Sequence, residues 1–144
     1  MRAASAPGSG SDTIGRVLAA ILESGDLERL YTGLSLLVSA ASEGRPARGL
    51  VTFGALGPLL DPELEARARR EAAHVTGAER EAFARTLAQL RDAARELPEC
   101  RLWACAAAVQ ATGADHAAVQ ERLAGVTSTP QFLREVAGAQ LVVV

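Results

Sequence analysis

The stretch Arg101-Leu102-Trp103-Ala104-Cys105-Ala106-Ala107-Ala108-Val109-Gln110-Ala111-Thr112-Gly113 reads as a strand giving way to a helix. Leu102–Cys105 is a short apolar run opened by Arg101 just after Pro98, with the length and character of a buried strand, and the alanine-rich run after it favours a helix. Cys105 stands at the junction. A helix start presents backbone N–H groups without intrahelical partners and a partial positive charge, both suited to holding a sulfur anion. Cys105 is therefore the first candidate for chemistry, although a free cysteine also serves as a small buried hydrophobe.

Outward from this junction the same alternation repeats. Upstream, Arg16–Leu22 is a continuous apolar strand, and Ser24-Gly25-Asp26 breaks it with a turn glycine and a capping aspartate. From Leu27, the apolar residues Leu30, Tyr31, Leu34, Leu37, Val38 and Ala41 recur at three- and four-residue spacing, which predicts a helix closed at Gly44. Gly49–Phe53 is expected as a second strand ending at Gly54, followed by a glycine- and proline-bearing loop through Leu60. Asp61-Pro62-Glu63 starts a charged helix with a thin apolar face, expected to be peripheral, a lid or simply solvated. Thr76-Gly77-Ala78-Glu79 fits a capping box for a helix that Pro98 stops. Downstream, Asp115 caps another short helix, Gly125–Ser128 is a brief strand, Thr129-Pro130 opens the last helix, and Ala139–Val144 is a final strand.

Five strands alternating with helices imply right-handed crossovers and a three-layer α/β/α domain around an open, mostly parallel sheet. That domain is expected over 13–144, and Met1–Asp12, rich in Ser, Gly, Ala and Pro, is expected to be a disordered tail. The 144 residues suffice for one core without staples. Cys100 and Cys105 are roughly 16 Å apart along an extended strand, beyond the reach of a disulfide. With no cysteine framework and no export signal to read, a reduced cytoplasmic protein is expected.

Composition removes several functions. A net charge of −2 from 17 acidic and 15 basic residues leaves no basic footprint for nucleic acid. No stretch approaches a membrane-spanning length. There is no lysine, which excludes lysine Schiff-base chemistry and the P-loop lysine. No G-x-G-x-x-G opens the first helix, against a nucleotide or flavin binder, so no cofactor is implied. His74 and His116 lack neighbours at ligand spacing, and no metal is predicted. Trp103 and Tyr31 fit core or interface positions.

In a parallel sheet the turns after successive strands gather at the carboxyl edge, where open α/β proteins bind ligands. Those turns carry Gly25 and Asp26, then Gly54, then Cys105 and Ala106, then Thr127 and Ser128. One thiol, one acid, hydroxyls and helix starts compose a candidate anion or sulfur site. Asp26 and Thr129 are also ordinary helix caps, and Gly54 an ordinary turn residue.

Three segments carry a family resemblance: Leu22–Leu34, Val51-Thr52-Phe53-Gly54 with the loop through Leu60, and Leu102-Trp103-Ala104-Cys105 with Gly113 and the closing Thr129–Val144. In these the chain resembles the DsrE/DsrF-like family of small sulfurtransferase-related proteins. The resemblance implies a five-stranded α/β fold, a homo-oligomer (trimer or hexamer), and a cysteine at Cys105 that carries sulfur as a persulfide between donor and acceptor proteins. Ala106-Ala107-Ala108-Val109 puts little polar side-chain support beside that thiol. A non-catalytic oligomeric binding or scaffold module of the same fold is the alternative.

Overall fold

The computed structural model describes residues 16–144, and the tail expected over 1–12 lies outside them. In order the elements are β1 (Leu18–Leu22), α1 (Leu27–Ser42), β2 (Ala47–Val51), α2 (Phe53–Leu60), α3 (Leu64–Glu71), α4 (Arg80–Glu96), β3 (Cys100–Cys105), α5 (Ala106–Thr112), α6 (His116–Arg122), β4 (Val126–Thr127), α7 (Thr129–Glu135) and β5 (Gln140–Val143). The five strands form one parallel sheet in the order β4-β3-β2-β1-β5. The fold is the three-layer α/β/α domain that the alternation predicts.

β1 is an interior strand covered on both faces, which is why its sequence is apolar throughout rather than alternating; Ala19 and Ala20 are fully buried. The helical stripe of α1 packs across β1 and β2 with Leu34 and Leu37 at 0 % exposure, each contributing about 1.5–3 kcal/mol by burial. Tyr31 of α1 stacks on Phe83 of α4, ring centroids 5.2 Å apart, tying the two helices that cover this face.

Four local expectations are corrected. The second strand lies two residues earlier than expected, because Thr52 leaves the sheet as the N-cap residue of α2. The expected loop from Gly54 to Leu60 is helical: Ala55, Leu56 and Leu59 bury one side, and that burial outweighs the glycines and Pro58. The charged segment after Asp61 is no lid, since Leu64, Ala68 and Ala72 are fully buried and α3 packs on α4. Thr76 makes no side-chain capping bond; a 3₁₀ turn, Gly77–Glu79, leads into α4 instead.

The two sheet faces are covered unequally. Leu102 approaches Gly49 and Leu37 on the α1 side, so pleating puts Cys100, Leu102 and Ala104 on that side and Arg101, Trp103 and Cys105 on the other. There the cover is α7, whose Phe132 meets Trp103 edge-on at 6.2 Å and whose Glu135 lies 3.9 Å from Arg48. α6 stays on the α1 side, where the Nε–H of Arg95 in α4 donates to the Glu121 carbonyl at 3.0 Å. The connections after β1, β2 and β3 each step one strand in the same direction, and the one after β4 returns across the opposite face to β5.

Candidate functional site

That reversal decides where a crevice opens. α5 leaves β3 on one face and α7 leaves β4 on the other, so the carboxyl ends of β3 and β4 flank a topological switch point, the usual ligand position in open α/β sheets. Cys105 and Thr127 are partners in the register at that place. Cys105 is a free thiol, 5 % exposed, in extended backbone as the N-cap residue of α5. Ala106 and Ala107 are exposed beyond it. The hydroxyl of Thr127 donates to Gln131 Oε1 at 3.3 Å, and Ser128 Oγ accepts the Gln131 N–H at 3.2 Å as the cap of α7. On the same face a cleft of about 270 Å³ runs between Trp103, Thr127, Gln131 and Phe132, with Cys105 one pleat beyond it.

Gly25 and Gly54 form the neighbouring half of this edge. The turns after β1 and β2 are in backbone contact: a Cβ on Gly25 would lie 2.9 Å from the Gly54 carbonyl oxygen, and one on Gly54 would lie 2.8 Å from the Glu23 carbonyl oxygen. Only glycine fits either position, which gives both residues a packing reason to be there. Phe53, just before Gly54, has φ +27° and a side chain 54 % exposed. A non-glycine residue in that region is strained, and strain of this kind is held where surrounding structure over-determines it.

Asp26 is engaged as a cap. Its Oδ1 accepts the Arg29 N–H at 3.0 Å, and its own N–H donates to Ser24 Oγ at 3.1 Å. The Arg29 amide holds its carboxyl below the usual carboxylate range, against burial, with hydrogen bonds from Glu28 and the charge of His74 adding to the effect. His74 reaches this edge by folding back, its N–H donating to Glu28 Oε2 at 2.7 Å, a long-range tie with no local sequence signal. His116 is exposed at the start of α6.

Cys100, at the other end of β3, is equally buried but on the opposite face, and burial pushes its thiol up to about 11. Among the described residues no group of three or more His, Cys, Asp and Glu side chains is placed to hold a metal ion, and no helix is long and apolar enough to cross a membrane. The structure thus sets a buried thiol at the end of β3 beside Thr127 of β4, with the start of α5 following it and the two-glycine contact at the neighbouring turns. No family model matches the chain, and no curated protein matches its sequence.

Proposed function

We propose that the protein is a sulfur carrier of the sulfurtransferase type, with Cys105 holding persulfide sulfur. The observation that carries this reading is the placement of a free thiol on the strand pair flanking the switch point. The resemblance to DsrE/DsrF-like proteins at Leu102–Cys105 supports it. In the loading step the Cys105 thiolate attacks the outer sulfur of a donor persulfide; the donor's S–S bond breaks, its electron pair leaves on the donor thiolate, and Cys105 becomes a persulfide. An acceptor thiolate then takes the outer sulfur in the same way and restores the Cys105 thiolate. The side chains of Ala106 and Ala107 offer no charge, so first-turn backbone N–H groups supply the stabilisation of the sulfur anion.

Mass spectrometry after incubation with a small persulfide donor tests this. A gain of one sulfur on Cys105 is expected, retained in Cys100→Ala and absent in Cys105→Ala. No gain in the parent protein, or an equal gain in Cys105→Ala, rejects the reading.

A second reading, an oligomeric module without catalysis, draws on β5. This edge strand leaves Leu141 48 % and Val143 60 % exposed, and a strand edge of this kind pairs readily with another chain. A monomer by light scattering at micromolar concentration would count against it.

A further inference from the structure

The carboxyl half of β3 pairs with β4, but its amino half does not. β4 begins at Val126, opposite Ala104, so from Cys100 to Leu102 the side of β3 away from β2 is an open edge. The N–H and C=O of one residue in a parallel strand point to the same side, and successive residues alternate. Ala47 N–H donates to the Glu99 carbonyl on the β2 side, whereas on the other side Ala104 N–H donates to the Gly125 carbonyl and the Leu102 carbonyl accepts from Ala124 N–H. The Cys100 carbonyl and the Leu102 N–H therefore face the open edge, where no strand receives them.

Cys100 and Leu102 line a cleft of about 450 Å³ there, bounded by the last turn of α4 and the end of α6, within the roughly 300–1,000 Å³ usual for ligand sites. It lies at the opposite end of β3 from Cys105 and goes beyond the sulfur reading. Three arginines line it, Arg95, Arg101 and Arg122, against one carboxylate, Glu96. None of the three has a carboxylate within 4.0 Å among the described residues, although Arg122 is half-buried. Arg95 is fixed across the gap between α4 and α6 by its Nε–H donating to the Glu121 carbonyl at 3.0 Å. The carboxyl ends of α4 and α6 oppose this charge with about half a negative charge each. Together they cancel one of the two excess positive charges and leave the other.

We propose that this cleft docks an acidic segment of a partner protein, which adds to the open edge of β3 as a short extended strand. One residue of the segment donates its N–H to the Cys100 carbonyl and accepts the Leu102 N–H at its own carbonyl, the two-point bond of a parallel ladder. Acidic side chains of the segment meet Arg101 on one face of the sheet and Arg95 and Arg122 on the other. Charge selects the segment, and the backbone pair selects its extended form.

Calorimetric titration of the full chain with the pentapeptide acetyl-Val-Glu-Glu-Glu-Val-amide tests the site. This peptide is expected to bind saturably and about tenfold or more tighter than versions with glutamine or lysine in place of glutamate, or than inorganic phosphate. Methylating its three glutamate amide nitrogens keeps the charge and removes the donors, and should weaken binding at least about fivefold. Arg122→Gln and the exposed Arg101→Gln should each weaken it at least about threefold. Circular dichroism verifies that both variants are folded. The proposal is overturned by a glutamine or lysine peptide or inorganic phosphate binding as tightly as the glutamate peptide, by unchanged affinity after methylation, by parent-like affinity in either folded variant, or by no saturable binding at millimolar concentration.

Discussion

The two ends of β3 carry the same residue type at the same burial, Cys100 and Cys105 each 5 % exposed, yet they are different sites. Five residues of extended chain reverse the pleat, so one thiol faces α4 and the other faces α7. Cys100 is followed by more strand and lines a cleft of about 450 Å³ with Leu97 and Leu102, whereas Cys105 is followed by a helix start and a change of direction in the sheet. Burial alone therefore says little about what a cysteine does; the element that follows it says more.

The largest effect that sharpens this contrast is at Phe132. It is 1 % exposed and covers Trp103 on the thinly layered face, so Phe132→Ala should cost about 3–5 kcal/mol, measured by urea unfolding. Alkylation of Cys105 in the folded variant should accelerate while that of Cys100 stays slow; equal acceleration of both would break the contrast between the faces.

Next in size is the pH response of Cys100. Its folded value is raised from 9.0 to about 11, so the folded state holds its proton where the unfolded chain releases it. The stabilisation is fully present below pH 9 and is lost as pH rises toward 11, with a loss on the order of 2 kcal/mol. Cys100→Ala should flatten the fall in unfolding free energy over that window; an unchanged slope would place its cause elsewhere.

The smallest effect separates cap from site. Asp26→Ala should cost about 1 kcal/mol as a lost N-cap and leave sulfur loading of Cys105 unchanged, read by thermal unfolding and mass spectrometry. Because the folded carboxyl lies below its ordinary value of 3.8, this stabilisation is present above that value and disappears as pH falls through the folded one. Loss of loading in the variant would make Asp26 part of the sulfur site.

Where one pattern governed a segment, the sequence was legible: the three- and four-residue spacing of α1, the apolar run of β1, and the strand-to-helix junction at Cys105 all lie where local chemistry predicts. It misled where tertiary burial overrode local signals. Gly54, Gly57 and Pro58 read as loop residues, but α2 forms because Leu56 and Leu59 are covered by neighbouring helices. The alanines of α3 looked like a weak face, yet small side chains let that helix sit close on α4. At the candidate site, the gathering of the four turns followed from parallel topology, while the position of the switch point depended on strand order. The tie from His74 to Glu28 and the small cleft lined by both Arg91 and Arg122 join residues far apart in sequence, so neither left a periodic trace.

The pairing of β1 with β5, Leu18 beside Gln140, also bears on how the chain assembles. The sheet's order places the first strand made beside the last, so β1 remains an open edge through the synthesis of everything between them. Contacts of such long sequence separation carry a large loop-closure entropy and slow folding. During that interval an apolar edge is exposed to other nascent chains, and the return of α7 across the back of the sheet is the event that brings β5 to close it.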